Sequence, residues 1–335
     1  MPDEHQAPRR SVVILSYIIT AIVGLAGAEG VLWFGGYPDW WALDPSTGAA
    51  SAEYRCDPQL GWAPREGRFN LLWGGLRDTP VRTTNWSDGS RSTAETEPRP
   101  DDPRPKAMFF GDSFMQGYGL SDDETLPWIV QRRHPELSVA NFAAGNYGTY
   151  QCYLAMRNHV TRSASVYYLF NAYQEPRNGA DRSWLRVYQR PAAGCFFPYA
   201  VESNGTLEPR KSEGNLVWFL SRHLRIVALV EDYTQMIPSW FRVRNQRKTT
   251  EALLSSMDEL VRSRGGAFTV ILVDLTDEQR AYYHSFLTSK GIAQIDFQIS
   301  ALRDRRYRLA DGHPNRVMNE MLAERIEALR IVKAR

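Results

Sequence analysis

The sequence predicts an α/β domain on a parallel sheet with helices on both faces, preceded by an N-terminal transmembrane helix. Two patterns carry this. Short apolar runs at residues 107–110, 138–142, 165–170, 268–275 and 292–296 alternate with helix-like stretches at 124–131, 150–162, 248–264 and 277–290. Such alternation implies parallel strands joined by crossover helices, a three-layer α/β/α sandwich. The second pattern is residues 11–28, SVVILSYIITAIVGLAGA, which hold no charge over eighteen positions. At a rise of about 1.5 Å per residue this run covers most of a hydrocarbon core.

The N-terminal run follows a polar segment, residues 1–10, that ends in Arg9-Arg10. Arginines on that side favour a cytoplasmic tail, an anchor over 11–35 and an extracytoplasmic remainder. A cleaved signal peptide is the alternative, since Ala26-Gly27-Ala28 suits a signal peptidase. The continuing apolar Val31-Leu32-Trp33-Phe34 favours the uncleaved anchor over that and over a buried core helix. Composition adds exclusions. With 335 residues, 40 basic against 38 acidic and a net charge of +2, nothing points to a nucleic-acid partner. Cys56, Cys152 and Cys195 fit no metal spacing, so no metal is expected. Two of them could pair in an oxidising compartment, and the sequence does not choose which.

Residues 36–105 read as a connecting region rich in Trp, Pro, Gly and Asp. Its end, TAETEPRPDDPRPK, is expected to be extended and exposed. The domain proper then starts near Lys106.

Its first strand runs into AMFFGDSFMQGYGL, residues 107–120. An apolar run that stops at Gly-Asp is a buried strand entering a turn. Asp112 or Ser113 can cap the helix that follows. That leaves Ser113 at the positive end of a helix, where N–H donors can hold an anion formed in its reaction. Helix capping alone is the plainer reading of the pair. Near the C-terminus, Asp311 and His313 share the loop Asp-Gly-His-Pro-Asn just before a strongly periodic helix. A nucleophilic serine needs a base, and a histidine base needs a carboxylate to orient it. His134, His159, His223 and His284 read as surface or packing histidines, none beside a carboxylate in such a turn.

Together GDSF upstream and DGHPN downstream resemble the SGNH (GDSL-type) hydrolase family. The stretch CDPQLGWAPREGRFN, followed by Thr84-Asn85, is loosely similar to what precedes the core in membrane-anchored members. It either packs on the core or helps bind substrate. The resemblance implies Ser113 as nucleophile, His313 as base and Asp311 as its orienting carboxylate. It implies an oxyanion hole from the N–H groups of Ser113 and, jointly, of Gly145 and Asn146, Asn146 standing where the family usually has glycine. A third donor usually comes from Gly-x-Asn-Asp after the third strand. This chain has Leu169-Phe-Asn-Ala-Tyr-Gln-Glu-Pro-Arg-Asn178 there. Asn171 follows the strand most closely, with Tyr173, Gln174 and Asn178 as the other options. Asp311-x-His313 is one residue shorter than the common Asp-x-x-His, a spacing found in relatives acting on surface polysaccharides.

Residues 179–247 are an insertion in the domain, residues 106–335. A helix over 215–233 is apolar around much of its circumference and reads as extra core. A cover over an acyl pocket or a membrane-touching surface is the alternative. The resemblance thus implies a membrane-anchored, extracytoplasmic esterase or acyltransferase without cofactor, acting on an acylated carbohydrate or another ester. The rivals are a lipase or thioesterase, and a non-catalytic domain that binds glycan or serves polysaccharide assembly.

Overall fold

The computed structural model describes residues 10–37, 52–72, 79–99, 101–179, 195–212, 216–236, 240–298 and 304–328. In chain order the elements begin with α1 (Arg10–Phe34), β1 (Tyr54–Asp57), β2 (Gly61–Pro64), β3 (Gly67–Leu71) and β4 (Val81–Asn85). Next come β5 (Lys106–Phe110), α2 (Ser113–Gln116), α3 (Leu126–Arg133), β6 (Ser138–Asn141), α4 (Thr149–His159), β7 (Ser165–Asn171) and α5 (Gln174–Asn178). The rest are β8 (Pro198–Ser203), β9 (Thr206–Lys211), α6 (Leu216–His223), α7 (Arg225–Met236), α8 (Trp240–Ser263), β10 (Ala267–Val273), α9 (Asp277–Ser289), β11 (Ala293–Phe297) and α10 (Arg316–Ala328). They fall into two compact units, residues 47–213 with 239–335, and residues 1–46 with 214–238.

The larger unit holds a five-stranded sheet in the order β11-β10-β7-β5-β6. Every neighbouring pair in it is parallel. Each of the five expected strands is present within two residues of its predicted bounds. The strands are near-continuous apolar runs because both faces are covered. Phe109, Tyr167, Leu169, Ile271 and Ile295 form one buried layer with Ile129 and Val130 of α3 and Met318, Leu322 and Ile326 of α10. The alternate residues face the other way, as a pleated strand requires. There the Phe170 ring meets Tyr283 of α9 at 4.6 Å, and the Tyr168 hydroxyl donates to Thr149 Oγ1 of α4 at 2.9 Å. The sandwich is therefore three-layered, as the alternation of patterns predicts. Helix α8 starts at Trp240, eight residues before the expected 248, and α3 follows a short 3-10 turn at Asp122–Glu124.

The connecting region is an integral layer of this unit. Trp62 and Arg91 are buried. Arg91 N–H donates to the carbonyl of Asn141 at 2.8 Å, which ties the region to the edge strand β6. Residues 94–99 and 101–106 are partly or fully exposed, in keeping with the expected extended tail. A disulfide joins Cys56 to Cys195, and Cys152 is a buried free thiol.

The smaller unit contains α1, α6 and α7. Helix α1 is 25 residues long, with mean hydropathy 2.2 over its most apolar eighteen and no buried residue, and so is long and apolar enough to cross a membrane. The expected helix over 215–233 is two helices broken at Leu224. Its reading as extra core is corrected: Leu216, Phe219, Val230 and Tyr233 are exposed.

Candidate active site

The strand ends build the site. Because the sheet is parallel, the loops after β5, β6, β7 and β10 leave its same edge, where sites of such sheets lie. A pocket of about 750 Å³ there is lined by Ser113 after β5, Asn146 after β6, Tyr173 and Arg177 after β7, and Asp274 after β10. Residues 308–313, ahead of α10, form the remaining wall with Arg305 and Phe114.

Ser113 is held by a tight turn. The side chain of Asp112 caps α2 by accepting from Phe114 N–H at 3.0 Å. A Cβ at Gly111 would meet Met115 Cβ at 2.7 Å, so only glycine lets the chain turn this closely. Gly117 ends the short helix at φ +87°, a left-handed conformation that favours glycine. The buried guanidinium of Arg91 then donates to the carbonyls of Gln116, Gly117 and Leu120 at 2.8, 2.7 and 2.6 Å.

Ser113, His313 and Asp311 come together. Ser113 Oγ lies 2.9 Å from His313 Nε2. Asp311 Oδ2 lies 2.8 Å from His313 Nδ1, and Oδ1 accepts from His313 backbone N–H at 3.1 Å. Burial raises the Asp311 carboxyl, but its hydrogen bond with His313 and the imidazole charge outweigh that and hold it below the usual carboxylate range. The rings of Tyr118 and Phe114 stand 4.6 and 5.2 Å from the imidazole, which restricts its swing. Burial, with the charge of Asp311 adding, pushes the Tyr118 hydroxyl up to about 12.

The oxyanion candidates separate. Ser113 and Asn146 both line the pocket. Among the described residues neither backbone N–H has a hydrogen-bond partner. Asn146 has φ +64°, the left-handed conformation that suits glycine and that asparagine tolerates. The expectation for Gly145 is corrected: its N–H donates to the Tyr54 hydroxyl at 2.9 Å, and it does not line the pocket. Asn171 is corrected. Its side chain is fully buried and donates to Asp112 Oδ2 at 2.8 Å, beneath the serine turn and outside the pocket lining. Gln174 donates to the same oxygen, and Asn178 donates to Thr149 and Thr250 Oγ1. Tyr173 is the one former alternative on the pocket wall.

Several supporting residues had no strong sequence signal. Arg177 pairs with the fully buried Asp112, so this carboxylate is stabilised by a guanidinium, two side-chain amides and a backbone N–H. Tyr54 and Trp62 come from the connecting region. The Tyr54 hydroxyl also accepts from Gln116 Nε2, and Trp62 Nε1 donates to the Gly145 carbonyl at 3.1 Å. One tyrosine thus joins the serine helix to the 143–148 loop. Arg308 donates to the Gly312 carbonyl at 2.8 Å, between Asp311 and His313, and pairs with Asp274. Both are buried, and Asp274 sits at φ +54°. His134, read as a surface or packing histidine, lies 3.0 Å from Glu136 Oε1 behind the end of α3. His159 stacks on Phe142 at 4.1 Å, and burial lowers its pKa. Among the described residues no group of three or more His, Cys, Asp or Glu is arranged to hold a metal ion.

No protein-family model and no curated protein matches the chain. Solved structures that align with it include a member of the lipolytic protein G-D-S-L family from Veillonella parvula, at 11% identity and TM-score 0.39 over 67% of this chain and 97% of that one. A putative lipolytic protein of the G-D-S-L family from Desulfitobacterium hafniense aligns at 14% identity and TM-score 0.37, over 68% of this chain and 100% of that one. The psychrotrophic esterase EstA from Pseudoalteromonas sp. aligns at 8% identity and TM-score 0.38, over 67% and 94% of the respective chains.

Proposed function

We propose that this chain is a membrane-anchored serine esterase or acyltransferase of SGNH type. It acts outside the cytoplasm on ester-linked acyl groups, foremost O-acetyl groups on cell-surface carbohydrate. The observation that carries the reading is the line Ser113 Oγ–His313 Nε2–Nδ1–Asp311, with contacts of 2.9 and 2.8 Å at the pocket wall. A glycan-binding domain has no need of that relay.

In the proposed reaction His313 Nε2 takes the Ser113 proton as Oγ attacks the ester carbonyl. The oxyanion is held by the N–H groups of Ser113 and Asn146. His313 then protonates the leaving alcohol, and an acyl-serine remains. Water or an acceptor hydroxyl, deprotonated by His313, releases the acyl group. Asp311 keeps the imidazole in the tautomer that both half-reactions need. Arg177, Asp274, Arg305 and Arg308 interrupt the apolar part of the pocket lining. That favours a short acyl group on a hydroxyl-rich carrier over a long lipid chain. Arg9-Arg10, ahead of the uncharged run 11–28, support the outward orientation.

The test is turnover of a generic acetyl ester by the full chain. Wild type is expected to hydrolyse it, and Ser113→Ala and His313→Ala each to abolish turnover. Equal turnover by wild type and Ser113→Ala refutes the reading.

A further inference from the structure

Glu29 is the one acid in helix α1 and follows its uncharged residues 11–28. A carboxylate at that level of a membrane span is costly unless paired. Its partners lie almost two hundred positions away. Glu29 Oε1 and Oε2 accept from the backbone N–H groups of Arg225 and Ile226 at 2.9 and 3.0 Å. These are the first two N–H groups of α7, which have no partner inside their own helix. The Arg225 guanidinium adds a contact at 3.3 Å and also donates to the Tyr37 carbonyl at 3.1 Å. The Tyr37 hydroxyl in turn donates to Asp232 further along α7. So α7 is fastened at its start to Glu29 of α1 and at its middle to Tyr37, just past the end of α1.

That fastening sets a depth. The uncharged residues 11–28 span about 27 Å, close to a hydrocarbon core, so Glu29 falls at its outer boundary. The start of α7 is then at the same boundary. Ala228 is buried, while Leu229, Val230 and Tyr233 are exposed. With the half-buried Ile226 they follow the i, i+3, i+4, i+7 spacing of a single apolar stripe. On α6, Leu216 and Phe219 are exposed as well. Soluble monomers rarely leave such a patch uncovered.

We propose that α6 and α7 lie in the membrane interface, their Leu216/Phe219 and Leu229/Val230/Tyr233 faces set into the headgroup–acyl boundary beside the outer end of α1. The proposal rests on the reading of α1 as a membrane span. The occupant is lipid because the stripe sits on a helix capped by a residue of that span. Lipid surrounds the span, and the helices bonded to its end meet the same bilayer. A tyrosine at the stripe's end suits the boundary.

The experiment uses the full chain in phosphatidylcholine–phosphatidylglycerol vesicles. Single cysteines replace Phe219, Tyr233 or, as a reference inside α1, Val23, and each carries an environment-sensitive fluorophore. The native thiols do not compete, since Cys152 is buried and the others are paired. Lipids bearing a nitroxide near the headgroup or deep in the acyl chain quench whatever lies at their depth, and iodide quenches what lies in water. The proposal expects the probes at 219 and 233 to lose more fluorescence to the shallow nitroxide than to the deep one, and the probe at 23 to show the reverse order. Quenching of 219 and 233 by iodide alone, with 23 still quenched by the deep nitroxide, overturns the proposal and leaves the anchor standing. Protection of 219 and 233 from both quenchers means another protein surface covers the stripe and equally overturns it. A probe at 23 open to iodide removes the anchor and the proposal together.

Discussion

Replacing Arg308 with alanine perturbs the loop that carries Asp311 and His313 without touching either. The Arg308 and Asp274 side chains are 1% and 4% exposed. Removing one partner of so buried a pair strands the other, at a cost of about 3–5 kcal/mol. Burial already pushes the Asp274 carboxyl above the usual carboxylate range, against the hydrogen bond and charge of Arg308. Without Arg308 the carboxyl takes up a proton more readily. The deficit is therefore expected to be smaller at pH 5 than at pH 8. Asp274→Asn combined with Arg308→Ala removes the stranded charge and should recover part of the stability. Neither variant restores the donor to the Gly312 carbonyl, so the loop stays loose in both. A displacement of about 1 Å between reacting groups costs on the order of 10²-fold in rate. Urea unfolding reads the stability and acetyl-ester turnover reads the geometry. The expected pattern is recovery of stability without recovery of rate in the double variant, with Arg308→Lys between wild type and alanine. Full turnover in Arg308→Ala, measured where it remains folded, refutes the reasoning.

Tyr54→Phe removes the acceptor of Gly145 N–H and Gln116 Nε2, both buried. Leaving such groups unsatisfied costs about 1–3 kcal/mol each, so the urea midpoint should fall, with turnover falling alongside; an unchanged midpoint contradicts the role given to the hydroxyl. Asn146→Gly should retain turnover if the backbone N–H is the donor, because glycine accepts φ +64°. Loss of turnover in that variant would move the role to the asparagine side chain. Asp311 is held below its unfolded value of about 3.9. A depressed carboxyl contributes stability that is fully present above the unfolded value and is lost as pH falls through the folded one. The stability difference between wild type and Asp311→Asn should thus shrink as pH falls below about 4, as followed by urea unfolding; a difference that persists undiminished to about pH 2 would contradict the depressed carboxyl.

The sheet was legible because its strands are apolar on both faces and end at turn residues, as at Phe110-Gly111-Asp112. The meeting of Ser113 with His313, 200 positions apart, follows from strand order and the shared edge of a parallel sheet. What escaped reading depends on side-chain direction or on long-range contact. Asn171 directly ends a strand, yet its amide turns beneath the sheet edge to Asp112. Nothing in sequence position separates that from an amide facing the pocket. Gly145 and Asn146 are neighbours, and only the hydroxyl of Tyr54, 91 residues earlier, distinguishes their N–H groups. The insertion misled in the same way. An apolar helical stretch reads as core unless one knows that Glu29 caps its second half. Arg308 is one arginine among several in RDRRYR, and its role exists only through Asp274 and Gly312.

The central claim is that Ser113 is an activated nucleophile, and covalent labelling tests it most directly. The full chain is treated with a fluorophosphonate and the adduct mapped by mass spectrometry of its peptides. The expected result is a single phosphonylated residue, Ser113, with labelling lost in His313→Ala. No adduct at Ser113 in folded wild-type protein, or one formed equally well without His313, would contradict the account.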